Sequence, residues 1–139
     1  MNNDYLYQQI VSLLENKALT NDVVFVNAYD LSPDVPDAAL IKTRAIIMNI
    51  FFDINAGYAY RFAHELSHIL YGDPDAQSVY YFSEYGKRGE ELLAHKNAIK
   101  MLMSIEMPTT VNGFMEYYHV PSWLEFEVQK TFSSLGVVE

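Results

Sequence analysis

Apolar residues recur at helical spacing in five segments of the chain, separated by turn-forming residues. In the first segment Leu6, Ile10, Leu13 and Leu14 recur at helical spacing, and Asp4 stands where a capping residue is expected. Glycine, proline or hydroxyl side chains flank the later segments, and such residues commonly begin or end helices. The later helices are predicted over residues 58–71, 89–106, 109–118 and 122–134.

Short runs of β-branched residues predict two strands, over residues 23–26 and 44–52. The second run is apolar on both faces, which is typical of a buried strand, although at a sheet edge it could pair with an extended peptide. Residues 27–42 and 73–88 are rich in polar and turn-forming residues and are predicted to be loops. The chain, residues 1–139, is therefore predicted to form one α+β domain, with a small sheet packed against a helical majority.

Charge and composition limit the partners of the protein. The 139 residues are 50% hydrophobic, carry a formal net charge of −9 and include no cysteine. This charge opposes direct binding to nucleic acid phosphates and is compatible with a basic protein partner, such as a DNA-binding protein. The apolar stretches are too short to span a bilayer, and the N-terminus lacks the features of a signal peptide. We therefore expect a cytoplasmic protein that binds neither membranes nor nucleic acid directly.

The sequence His-Glu-Leu-Ser-His, at residues 64–68, falls within the helix predicted at 58–71. A spacing of four residues puts His64 and His68 on one helix face, one turn apart, so that both can bind one Zn²⁺. Glu65, beside the first histidine, can accept a proton from a water that the metal activates and pass it to the leaving amine. This pattern is typical of zinc metallopeptidases.

A third metal ligand is expected from a later helix, because catalytic zinc usually takes three protein ligands and a water. The helix predicted at 89–106 offers Glu90, Glu91 and His95. Glu91 continues the stripe of core positions that includes Ala98, and Glu90 lies on a neighbouring face. His95 is expected on the more polar side of this helix. The residues alone therefore leave Glu90 and Glu91 as alternatives, with His95 behind them.

Tyr117, Tyr118 and His119 form a further polar cluster near the C-terminus. A hydroxyl or imidazole in this cluster would be able to donate a hydrogen bond to the oxyanion of a transition state. Because the chain has eleven tyrosines, a packing role is favoured for this cluster.

The order of these features resembles that of the ImmA/IrrE family of bacterial and phage metallopeptidases. Two segments carry the resemblance: Ala-His-Glu-Leu-Ser-His-Ile-Leu-Tyr-Gly at residues 63–72 and Ala-His-Lys-Asn-Ala-Ile-Lys-Met-Leu-Met at residues 94–103. The resemblance covers roughly residues 20–105. It implies a minimal zincin-like fold with one catalytic zinc, the two motif histidines as ligands and Glu65 as general base.

The same resemblance implies a regulatory protease that cleaves or inactivates a helix-turn-helix repressor of a prophage or mobile element. In the family the third ligand is usually a glutamate directly before an Ala-Asn or similar pair, and Leu93 stands at that place here. Glu90 or Glu91 would therefore have to replace it. The alternative function is a zincin-like binding module that sequesters a regulatory protein, in the manner of an antirepressor, without cutting it.

Overall fold

Five helices and a four-stranded mixed sheet form residues 2–136, the part of the chain that this computed structural model describes. The predicted α+β class is confirmed. Among the described residues, no helix has the length and hydropathy that would let it cross a membrane. The helices are α1 (Asn2–Thr20), α2 (Tyr58–Tyr71), α3 (Gly89–Ile105), α4 (Val111–Tyr118) and α5 (Glu125–Gly136). The strands are β1 (Val24–Ala28), β2 (Ala38–Leu40), β3 (Ala45–Asn49) and β4 (Val79–Tyr81).

The helix bounds follow the sequence closely, with two differences near the chain ends. α2 has the predicted bounds, and the Thr110 side chain caps α4 by accepting a hydrogen bond from the Gly113 amide at 2.9 Å. The expectation that Asp4 precedes the first helix is wrong, because α1 already begins at Asn2. The last helix begins at Glu125 rather than Ser122, after a single 3-10 turn.

The sheet has the order β1-β3-β2-β4, in which only β1 and β3 run parallel. Because β3 pairs with a strand on each side, it is the buried core strand that the sequence allowed, and the alternative of a sheet-edge strand open to a peptide does not apply. The loops predicted at 27–42 and 73–88 are also wrong in part, because they contain β2 and β4. Each of these strands has three residues, too few for a period of two to stand out, and tertiary pairing defines them.

Helix α2 lies between the sheet and α3, and this position buries nearly all of it. Residues 59–69 are buried, and Phe62 contacts the sheet through an edge-to-face pair with Phe25 at 5.4 Å. Arg61 donates two hydrogen bonds of 2.7 and 2.8 Å to the Asp37 carboxylate, just before β2. Asp37 also accepts a hydrogen bond from the Asn49 amide at 2.8 Å. These bonds fix the rotation of α2 against the strands, and therefore the direction of its polar face.

Candidate metal centre

Three side chains from α2 and α3 converge at the interface between these helices. His64 and His68 lie on the face of α2 that packs against α3, and Glu91 lies in the first turn of α3. His64 Nε2 is 3.0 Å from Glu91 Oε1, and His68 Nε2 is 2.9 Å from Glu91 Oε2. The potential ligand atoms of the three residues lie within 4.8 Å of one another. The two oxygens of the Glu91 carboxylate therefore contact one imidazole each. A single cation between the three side chains could bind a ligand atom of each. We call these three residues the triad.

The geometry of the triad fits a zinc ion. Tetrahedral zinc with bonds of about 2.0 Å holds its ligand atoms about 3.3 Å apart, close to the two distances seen here. The 2.9 Å contact of His68 Nε2 lacks the direction of a hydrogen bond, so this buried nitrogen has no hydrogen-bond partner among the described residues. Two histidines and one glutamate are also a donor set of catalytic zinc sites. Only small shifts would turn the triad into a coordination shell.

The pKa shifts of His64 and Glu91 also suit a metal. Burial lowers the pKa of His64, the charge of His68 lowers it further, and Glu91 opposes both. Burial would raise the pKa of Glu91, but the hydrogen bond with His64 and the close contacts and charges of both histidines outweigh it and lower the pKa to about 2. Neutral imidazoles and an ionised carboxylate are the forms that bind a cation. The Nδ1 atoms of both histidines have no hydrogen-bond partner among the described residues.

Glu65 is completely buried beside His64, and its carboxylate is not committed to any other interaction in the described structure. Neither oxygen has a hydrogen-bond partner among residues 2–136. Burial raises the pKa of Glu65 well above its usual range, with Asp37 and Glu91 acting in the same direction and Arg61 opposing them. Such a group can hold and release a proton, and a cation in the triad would favour its ionised form.

Glu90, the other glutamate on α3 that was predicted as a ligand, does not join the triad. Glu90 Oε1 accepts a hydrogen bond from the Asp73 amide at 3.1 Å, so this glutamate holds the turn that follows α2. Leu93, at the place where the family resemblance puts a ligand, is 39% exposed. Of the alternatives left open by the sequence, the structure brings Glu91 to the two histidines.

His95 is fully buried, so the expectation that it sits on a polar face is wrong. Its Nε2 donates to the Ser83 carbonyl at 2.9 Å, and its Nδ1 accepts from the Tyr60 hydroxyl at 2.6 Å. Burial, with the charge of His64, lowers the pKa of His95 to about 3, in agreement with a neutral ring. Both ring nitrogens of His95 are hydrogen-bonded, so this residue of α3 is linked to α2 and to the segment after β4. These bonds hold α3 in place, and with it Glu91, one turn earlier on the same helix.

The Tyr117–His119 cluster packs at another place in the fold. The rings of Tyr117 and Tyr118 lie 5.7 and 6.5 Å from that of Tyr7 on α1. The Tyr118 carbonyl accepts a hydrogen bond from the Gly57 amide, just before α2. These contacts attach α4 to α1 and to the start of α2, which is the packing role that the sequence favoured.

β4 and the residues after it cover the triad, which the sequence did not indicate because this segment was expected to be a loop. Tyr80 stacks on His68, with ring centroids 4.1 Å apart and planes 9° apart, and Phe82 lies edge-on to His64 at 4.9 Å. Gly86 lies directly against Glu91. Aromatic spacing of two residues at 80 and 82 is the one sequence signal that could have indicated a strand facing the histidines.

A cleft of about 440 Å³ gives access to the triad from solvent. Its walls come from the turn before β4, from β4 itself and from the start of α3, and they include Gln77, Tyr80, Arg88 and Glu91. The Glu91 side chain is 21% exposed here, whereas His64 and His68 are buried behind it. A more apolar cavity of about 250 Å³ between α1 and α4 contains none of the triad. The cleft is therefore the surface at which a substrate would meet the site.

The class of site defined by these residues is a cluster of two histidines and one carboxylate with an unpartnered glutamate beside it. Comparison of the chain with protein-family models, with curated proteins and with solved structures gives no match. A functional interpretation therefore rests on the site itself and on the sequence motif that builds it.

Proposed function

We propose that this protein is a zinc-dependent metallopeptidase. The convergence of His64, His68 and Glu91 beside the free carboxylate of Glu65 carries the proposal. The Nε2 atoms of the two histidines and an oxygen of Glu91 would hold Zn²⁺. When bound, the metal supplies a Lewis acid that lowers the pKa of water to about 7 and polarises a carbonyl.

The side chains around the triad have complementary roles in peptide hydrolysis. Glu65 accepts a proton from the attacking water and delivers it to the nitrogen of the leaving amine. The ionised Glu91 balances the charge of the cation, and the His95 network keeps α3 in register with α2. Phe82 and Tyr80 exclude water from the imidazole faces, which strengthens electrostatic interactions inside the site.

The proposed substrate is a helix-turn-helix repressor of a prophage or mobile element, as the resemblance to the ImmA/IrrE family implies. The net charge of −9 supports this substrate class, because DNA-binding proteins are basic and would be attracted to an acidic protease. Enzyme and substrate would then meet in the cytoplasm, and the protease would not need to bind DNA itself.

Metal analysis and a cleavage assay with the Glu65→Gln variant test this proposal. We expect about one zinc per purified chain. The repressor encoded nearest to the gene should be cut by the wild type. Glu65→Gln should retain zinc and lose cleavage by at least ~100-fold, because it removes only the general base. A wild-type protein without zinc, or a glutamine variant that cuts equally well, would falsify the proposal.

A zincin-like binding module is the second candidate function. The enclosure of Glu65 favours it, because neither carboxylate oxygen is exposed to solvent or to the cleft in the described structure. Such a module would form a stoichiometric complex with the repressor that survives the Glu65→Gln change. Specific cleavage fragments that appear with the wild type and not with the variant would decide for the enzyme.

A further inference from the structure

Tyr80 is held rigidly over one of the triad histidines. It is the middle residue of β4, its side chain is 4% exposed, and its ring lies parallel to that of His68 at 4.1 Å. The pairing of β4 with β2, in which Tyr80 faces Ala39, fixes the strand beside α2. This packing leaves the phenol ring little freedom to rotate, so the position of its hydroxyl is set before any ligand arrives.

The hydroxyl of Tyr80 is buried and has no hydrogen-bond partner among the described residues. Buried hydroxyls are normally paired, because an unpaired one costs about 1–3 kcal/mol. Tyr80 also lines the cleft that leads to Glu91. The residue that carries this unpaired donor therefore forms part of the cleft wall, and a ligand in the cleft that displaces the atoms covering the hydroxyl would be its partner.

The Tyr80 hydroxyl is a potential hydrogen-bond donor, because a phenol O–H can donate one hydrogen bond as well as accept others. A ligand group that accepts this bond would give the buried hydroxyl the partner that it lacks. The strongest acceptor that peptide hydrolysis produces is the oxyanion of the tetrahedral intermediate.

We propose that Tyr80 is a catalytic residue of the metallopeptidase reaction, whose hydroxyl donates a hydrogen bond to the scissile carbonyl oxygen as negative charge develops there. This inference rests on the proposed function. The donor would stabilise the transition state more than the bound substrate, and so would raise kcat rather than lower KM.

The peptide and one water molecule are the only reactants that this hydrolysis needs. As the water oxygen bonds to the carbonyl carbon, the π electron pair moves to the carbonyl oxygen, and Glu65 takes the water proton. The oxygen accepts the hydrogen bond from Tyr80 at this stage. When the intermediate collapses, the C=O bond re-forms and the C–N bond breaks, while Glu65 delivers the proton to the nitrogen. Tyr80 keeps its own proton throughout.

The Tyr80→Phe variant tests the role of the hydroxyl, because phenylalanine keeps the ring that stacks on His68. We expect kcat for repressor cleavage to fall about 10²-fold, in line with the loss of one oxyanion donor, while KM and zinc content stay within about twofold. Tyr118→Phe is the matched control, since it removes another buried and unpartnered hydroxyl in the α4 packing region. This control should leave kcat, KM and zinc content unchanged.

A second measurement does not depend on turnover. Calorimetry with zinc-loaded protein and N-phosphoryl-leucinamide, a tetrahedral anion, should give about 10–100-fold weaker binding for Tyr80→Phe and no change for Tyr118→Phe. Equal binding of this probe by the wild type and Tyr80→Phe, or no binding by the wild type, would overturn the inference. Loss of zinc from Tyr80→Phe would also overturn it, because Tyr80 would then only support His68.

Different experimental results would refute the proposed function and the role of Tyr80. A wild-type protein that holds no zinc refutes the proposed function, and the role of Tyr80 with it. A wild type that binds zinc and cuts the repressor, beside a Tyr80→Phe variant that cuts equally fast, refutes the role of Tyr80 alone. If zinc is bound and no substrate is cut, binding of the phosphoryl probe decides the role of the hydroxyl.

Discussion

At the scale of single residues, two adjacent glutamates at the start of α3 have different partners. Glu91 contacts both triad histidines, whereas Glu90 accepts a hydrogen bond from the Asp73 amide. We therefore predict that Glu91→Gln weakens zinc binding by at least ~100-fold, more than is typical for loss of an outer-shell partner. Glu90→Gln, which changes the same group one residue away, should alter zinc affinity by less than about threefold.

Competition with a chromophoric chelator measures both zinc affinities under the same conditions. Glutamine matches glutamate in size, so packing around the site is kept and the comparison isolates the carboxylate charge. Weaker zinc binding in Glu90→Gln than in Glu91→Gln would reverse the assignment of the third ligand.

The two candidates on α3 also show how far the sequence alone defines the site. The spacing of His64 and His68 is a property of one helix, so the pair follows directly from the motif. The third ligand depends on how α3 is rotated against α2, and the sequence therefore left Glu90 and Glu91 as equal alternatives. Tyr80 could not be predicted, because its contact with His68 depends on a strand that pairs only through tertiary structure.

At the scale of elements, long periodic segments were predictable and short strands were not. The bounds of α2 were predicted correctly, because turn-forming residues such as Gly72 and Pro74 flank a segment of fourteen residues. β2 and β4 have three residues each, and they pair with each other across a long stretch of the chain that includes β3 and α2. The burial of His95 was missed for a related reason: the segment after β4 covers a face of α3 that would otherwise be exposed to solvent.

The segment after β4 packs so closely against α3 that one glycine is required there. A Cβ atom added at Gly86 would lie 2.5 Å from Glu91 Cβ and 2.9 Å from its Cγ, closer than carbon atoms approach. We therefore predict that Gly86→Ala displaces Glu91, lowers zinc affinity and reduces the free energy of unfolding by about 1–3 kcal/mol. Chelator competition and urea unfolding measure the two effects.

Gly89 provides the control for this substitution. Its φ of +53° strains an alanine by about 1–2 kcal/mol, yet a Cβ there meets no atom within 4 Å. Gly89→Ala should therefore destabilise the protein by a similar amount and leave zinc affinity unchanged. If both alanine variants bound zinc as the wild type does, close packing of Gly86 would not be what positions Glu91.

At the scale of the whole molecule, the site joins elements that are distant in sequence. The triad links α2 to α3, and Tyr80 brings β4, and through it the sheet, into contact with the same histidines. This junction holds several buried polar atoms without hydrogen-bond partners among residues 2–136, including both oxygens of Glu65. Unpaired buried groups destabilise a fold, so occupancy of the site should stabilise the domain as well as activate it.

We predict that zinc raises the thermal stability of the wild-type protein. At a free zinc concentration 100 times the dissociation constant, binding to the folded state alone adds about 2.7 kcal/mol to the free energy of unfolding. For a domain of this size, that corresponds to an increase in Tm of roughly 10 °C. Scanning calorimetry with zinc, and again after addition of a chelator, measures this shift and its reversal.

Two variants, Glu91→Gln and Glu65→Gln, show whether zinc binding at the triad causes such an increase in Tm. Glu91→Gln should lose most of the increase in Tm, because the third ligand is gone, whereas Glu65→Gln should keep it, because the general base is not a ligand. An equal increase in Tm for Glu91→Gln and the wild type would mean that zinc binds elsewhere on this acidic surface.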